Sequence, residues 1–199
     1  MIKLFGEWDT SNIKVEEAAL VPYIDLKPLM VPRTCGRSAQ GSRVWGTKIH
    51  IVERLINKLM VPGHRGKKHK ISSGHCAGKA TKSYNIVYKT FKLIEKSLGK
   101  NPVEVFVKAV ENSAPREEVI SIEYGGARYT KAVEVAPQRR VDLVLKLMAQ
   151  GAYAKAFNSK VDVERTLANE IIAAYKMDVQ ASGALSKKLD LERQSDASR

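Results

Sequence analysis

Hydrophobic positions along this chain change their period from element to element, and between Val119 and Gly151 the change falls within one run. Ile120, Ile122 and Tyr124 alternate with Ser121 and Glu123, the two-residue repeat of a half-exposed strand. Gly125-Gly126 offer the positive φ angles of a tight hairpin turn, and Tyr129 to Val135 runs back with Val133 and Val135 flanking Glu134. Pro137 fits the first turn of a helix, where its missing N–H costs nothing. Val141, Val144, Leu145 and Met148 then recur at helical spacing, and Gly151 stands where a C-terminal cap belongs. The pattern predicts a protruding β-ribbon over 119–135, basic through Arg128 and Lys131, that feeds directly into an amphipathic helix.

Elsewhere the periodicity is helical. Residues 1–46 are broken by Pro22, Pro28, Pro32, Gly36, Gly41 and Gly46, and read as an irregular arm instead of a core element. Thr47 is placed to cap a first helix with Val52, Leu55, Ile56 and Leu59 on one face, ended by Met60-Val61-Pro62-Gly63. A loop from His64 to Lys79 follows. Tyr84, Val87, Tyr88, Phe91, Ile94 and Leu98 then stripe a second helix that stops at Gly99. Asn101-Pro102-Val103-Glu104 combines a capping Asn, an early Pro and an acid, the start of a third helix that buries Val103, Phe106, Val107 and Val110. Asp162 opens a fifth helix with Val163, Leu167, Ile171 and Ile172 inside, and Lys187 to Ala197 predicts a last one. The expected fold is mainly α: a bundle of about five to six helices, one protruding β-hairpin and an irregular basic N-terminal arm. It divides into an extension over 1–46 and a helical unit over 47–199.

Charge changes this picture from a generic bundle to a polyanion binder. The chain carries 34 Lys+Arg against 21 Asp+Glu, a net charge of +13. From Lys27 to Ile94 there are 15 basic residues and a single acid, Glu53, so one third of the protein holds the whole excess. Suppressing acids this completely creates a local field suited to a polyanion. The block is rich in Gly, Ser, Thr and His and is not an amphipathic helix with an aromatic face, which favours nucleic acid over a membrane surface. No apolar run approaches a membrane span, and MIKLFGEWDT lacks a signal-peptide core. Two cysteines, Cys35 and Cys76, supply no disulfide framework, so a cytoplasmic setting is expected.

Specific chemistry is sparse. Arg139-Arg140 falls in the first turn of the fourth helix, where each cation opposes the macrodipole at a cost of about 0.3–1 kcal/mol. Either both point into water or they meet a bound anion there. His64, His69, His75 and Cys76 cluster, but their spacings match no local zinc pattern, so no metal is expected and phosphate-facing or solvated imidazoles are preferred. His50 reads as a surface or partly packed residue. No phosphate loop, His-Glu-x-x-His or base–orienter pair for either cysteine is present, so neither catalysis nor a cofactor is expected. A DNA-architectural arm is the main rival reading. Such arms insert apolar or proline wedges, whereas this tip is Gly125-Gly126 flanked by Tyr124 and Arg128.

The order of pieces resembles the universal small-subunit ribosomal protein seven family, in its archaeal and eukaryotic form. The resemblance covers most of the chain. It is carried by PYIDL at 22–26, GR at 36–37, IVERLINKLM at 51–60, GKNPVEVFVKAVENSAPREE at 99–118, and the YGGARYTKAVEVAPQRRVDLVL segment. An AQGA turn at 149–152 and the ending through Lys187-Lys188, Leu191-Glu192-Arg193 and Ser198-Arg199 complete it.

The resemblance implies a helical protein that binds the 3′ major domain of small-subunit ribosomal RNA and nucleates assembly of the head. Implied neighbours are exit-site tRNA, the mRNA vicinity, other head proteins and ribosomal protein eleven, with a monomer when free. Carried over by position, the rRNA-facing residues are Arg33, Arg37, Arg43, Lys48, Arg65, Lys67, Lys68, Lys70, Lys79, Lys82, Arg116, Arg139 and Arg140. The hairpin tip near tRNA comprises Tyr124, Gly125, Gly126, Arg128, Tyr129 and Lys131. One departure stands out: the family's Gly-Lys-Lys before the second helix is Gly78-Lys79-Ala80 here, and the cations from Arg65 to Lys70 are expected to replace the missing contact. Much of residues 1–46 and the Arg65–His75 loop are expected to be mobile in free protein and to order on RNA.

Overall fold

The computed structural model describes residues 2–34, 45–63 and 76–199. Six helices and one hairpin follow in order: α1 (Ile51–Met60), α2 (Ala80–Leu98), α3 (Pro102–Ser113), β1 (Glu117–Tyr124), β2 (Ala127–Glu134), α4 (Pro137–Ala156), α5 (Val163–Tyr175) and α6 (Gly183–Asp196). The expected mainly α bundle with one antiparallel β-hairpin is the observed architecture. Helix α5 packs against α2, α3, α4 and α6, and α1 lies between α2 and α4. Phe91, Phe106, Leu55, Leu145, Met148, Leu167 and Ile171 are fully buried where these helices meet. No helix among the described residues is long and apolar enough to cross a membrane.

Local signals explain most boundaries. Asn101 accepts a hydrogen bond from the Val103 amide at 3.0 Å, with Pro102 opening α3 behind it. Gly99 ends α2 at φ +64°, a left-handed position that favours glycine. Two starts differ from expectation. Helix α1 begins at Ile51 and is capped by His50, whose Nδ1 accepts from the Val52 amide at 3.2 Å; Thr47 lies in a preceding 3-10 turn, Trp45–Lys48. Helix α6 begins at Gly183, four residues before Lys187, because Ser182 accepts from the Leu185 amide and caps it.

Gly151 does not end α4, and Ala149–Ala152 is helix, not turn. The helix continues to Ala156, and Gly151 sits inside it facing Glu170 of α5. A Cβ there would lie 3.3 Å from the Glu170 carboxyl carbon, so the glycine serves close approach instead of capping. Glu170 is fully buried and accepts hydrogen bonds from Ser182 Oγ at 2.9 Å, the Ala184 amide at 3.1 Å and Lys155 Nζ at 2.8 Å. One carboxylate thus ties together α4, α5 and the start of α6.

The N-terminal segment is also corrected. Leu4, Trp8, Leu20 and Ile24 belong to the hydrophobic core, so residues 2–34 are a packed part of the fold. Phe5 and Trp8 meet Tyr88 and Phe91 of α2 edge-on or tilted, and Trp8 Nε1 donates to Glu95 at 3.1 Å. Pro and Gly break regular structure, yet the apolar residues between them still find the bundle. Glu111 holds the next stretch in place by accepting from the Glu16 and Glu17 amides.

Candidate nucleic-acid interface

Three groups of the expected cations are visible, and α1 sets the distance between two of them. At its start, the carboxylate of Glu53 accepts from the Thr34 amide at 2.8 Å and from Thr34 Oγ1. The single acid of the basic third therefore holds exposed Arg33 beside the first turn of α1, next to exposed Lys48. At the other end, exposed Lys79 and Lys82 open α2. A ten-residue helix spans about 15 Å, which is the scale of separation between the two groups. All four cations are exposed, and none forms an ion pair among the described residues. Arg37, Arg43, Arg65, Lys67, Lys68 and Lys70 lie outside the described residues, as do Cys35 and, of the histidine cluster, His64, His69 and His75.

The third group surrounds the base of the hairpin, and its members are not equivalent. Arg140 is 5% exposed, its side chain turned into the fold. Its guanidinium grips Glu17 with two bonds, at 2.7 and 3.0 Å, while Nε donates to the Pro115 carbonyl at 2.9 Å. Arg139 is exposed and donates to Glu118 of β1 at 2.8 Å. The anion expected at this helix start is therefore the protein's own: Glu17 and Glu118 offset the unfavourable position of the two arginines. Arg116 is exposed, and its amide donates to Glu192 of α6. Arg54, in the basic third, is likewise internal: it donates to the Tyr23 carbonyl at 2.8 Å and pairs with Asp142 at 3.3 Å.

The hairpin runs Glu117–Tyr124 and Ala127–Glu134, turning at Gly125 (φ +58°) and Gly126 (φ +80°). In its register Ile122 faces Tyr129, Ile120 faces Lys131 and Glu123 faces Arg128. The half-exposed strand expected from alternation is instead exposed on both faces beyond Val119, because among the described residues nothing covers the ribbon once it leaves α6. Ile120, Ile122, Tyr124 and Tyr129 form an exposed apolar face, Tyr124 being 80% accessible. The ribbon is not basic either. Glu117, Glu118, Glu123 and Glu134 outnumber Arg128 and Lys131, and Arg128 lies 3.8 Å from Glu123.

His50 was not recognisable as a buried group. It is almost fully enclosed, Nδ1 is engaged by the α1 amide, and Nε2 has no partner among the described residues. Burial pulls its pKa down to about 4, with nearby Asp25 opposing only in part. Among the described residues no group of three or more His, Cys, Asp and Glu is arranged to hold a metal ion.

A polyanion-binding surface on a helical scaffold with a projecting hairpin agrees with comparisons to known proteins. The family model described as Ribosomal protein S7p/S5e matches residues 23–199. The small ribosomal subunit protein uS7 of Nanoarchaeum equitans (strain Kin4-M) is 48% identical over 198 residues, covering 100% of this chain and 99% of that protein. The chain therefore belongs to the ribosomal protein S7p/S5e family, RNA-binding structural constituents of the small ribosomal subunit with a role in translation and no enzymatic one.

Proposed function

We propose that this protein is a primary binder of the 3′ major domain of small-subunit rRNA, that it nucleates assembly of the subunit head, and that its hairpin projects toward exit-site tRNA. The observation that carries the reading is the set of exposed cations, Arg33, Lys48, Lys79 and Lys82, that form no ion pair among the described residues and lie at opposite ends of a buried helix. Neutralising closely spaced rRNA phosphates is the chemistry such a set performs, while base identity is read by other groups. Arg37, Arg43, Arg65, Lys67, Lys68 and Lys70 extend the set in sequence, and Arg116 and Arg139 add weaker contacts because carboxylates flank them. Arg140 is left out of it. On this reading the division at residues 46 and 47 is one of RNA-contacting role and not of folding.

The apolar face of Ile122, Tyr124 and Tyr129 is the part offered to tRNA, mRNA and neighbouring proteins such as ribosomal protein eleven. Separate surfaces predict separable functions. Replacing residues 121–130 by a short turn is expected to leave thermal stability and 3′-domain binding unchanged, and to weaken retention of exit-site tRNA in reconstituted subunits. Loss of 3′-domain binding in that variant would contradict the assignment of the hairpin.

A further inference from the structure

A cavity of about 300 Å³ lies where the end of α1, the start of α2 and the end of α4 meet, with Leu59, Ile86, Cys76, Tyr153, Phe157 and Lys82 in its wall. Leu59 and Ile86 provide an apolar floor. Phe157 follows the last residue of α4 with extended backbone, and Asn158 then turns at φ +53°, a left-handed conformation that asparagine tolerates better than most residues. That turn leaves the Phe157 ring 43% exposed at the rim, with its centroid 6.0 Å from that of Tyr153 and the planes tilted by 34°. An aromatic pair held half in water beside a cavity leaves apolar ring surface open to a ligand.

The volume is at the lower end for small-ligand sites, about 300 Å³, which suits one flat ring system and not a length of backbone. The rim settles the class of occupant. Lys82 lines the cavity and Lys79 opens the same helix, both exposed and neither ion-paired among the described residues. Cations around an apolar, aromatic-walled slot complement a nucleotide, whose base is apolar on its faces and whose phosphates are anionic. We propose that this cavity receives one unstacked base of the small-subunit rRNA, its flanking phosphates meeting Lys82 and Lys79. The inference rests on the rRNA-binding reading above and assigns Phe157 and Tyr153 as contact residues that no charge argument would find.

Filter binding of full-length protein to 3′-major-domain rRNA across a salt series separates stacking from phosphate contacts. Phe157→Ala removes a stacking face, and Ala156→Phe fills the cavity from its edge. Each is expected to weaken binding by roughly tenfold with no change in the slope of log affinity against log salt. Lys82→Ala is expected to reduce that slope by about one. Ultraviolet cross-linking of the wild-type complex, with peptide mapping, is expected to place a nucleotide adduct on Tyr153 or Phe157, and does not depend on any variant folding. Wild-type affinity for both cavity variants, or adducts confined to other residues, would overturn the base pocket while leaving the rRNA reading intact. Absence of any preference for the 3′ domain by wild-type protein would instead overturn the reading on which the pocket rests.

Discussion

At the scale of single residues, two buried ionisable groups behave in ways that composition hides. His50 caps α1 through Nδ1 and is held neutral, with a folded pKa of about 4 against an ordinary value of 6.5. Between those values the unfolded chain binds a proton that the folded chain refuses. The stability from this site is present above pH 6.5 and is lost as pH falls toward 4, by up to roughly 3 kcal/mol. Urea unfolding across that window is expected to show the loss, and His50→Asn, which keeps an acceptor at the cap, is expected to flatten it. Arg140 makes the second case. Arg140→Met breaks a largely buried bidentate pair with Glu17 and is expected to destabilise by about 3 kcal/mol. Arg139→Met, at a pair whose arginine is exposed, is expected to change stability by about 1 kcal/mol or less. Equal melting shifts for the two would contradict their assignment. The sequence marked this arginine pair as anomalous for a helix start, but the partner of Arg140 lies 123 residues away, beyond any local pattern.

At the scale of elements, the sequence was most readable where a boundary depends on neighbours. Asn101-Pro102 and Gly99 act through hydrogen bonds and dihedrals within a few residues, and both were recognisable. Gly151 was not, because a capping glycine and a mid-helix glycine that admits a carboxylate share one local signature. What separates them is the approach of α5. Gly151→Ala is the corresponding test. Helix propensity alone favours alanine by about 1 kcal/mol, yet Glu170 is held by three donors and cannot yield without breaking them. Crowding a well-packed site typically costs about 1–3 kcal/mol, so the variant is expected to melt lower, with a net loss of about 1 kcal/mol. A higher melting temperature would mean that Glu170 relaxes freely. The hairpin teaches the converse lesson. Alternation identified its strands and Gly125-Gly126 its turn, but period two shows only that two faces differ, not that either is covered.

At the scale of the whole molecule, the charge excess was legible from counting alone, and its division between structure and binding was not. Arg54 and Arg140 are internal struts, whereas Arg33, Lys48, Lys79 and Lys82 stand exposed and form no ion pair among the described residues. Proline and glycine content suggested that the first 46 residues stand apart, while Leu4, Trp8 and Leu20 anchor residues 2–34 in the core. Breakers report the absence of regular structure and say nothing of burial. On the proposed reading, the outward cations neutralise phosphates of the 3′ major domain of small-subunit rRNA while other groups supply the preference for it. The direct measurement is competition binding at low and moderate salt, with labelled 3′-domain rRNA displaced by duplex DNA or unrelated structured RNA. The account predicts that affinity falls by roughly 10³–10⁵ over that range if six to ten phosphates are contacted, and that preference for the 3′ domain survives the fall. Equal displacement by all three nucleic acids, or an affinity insensitive to salt, would contradict it.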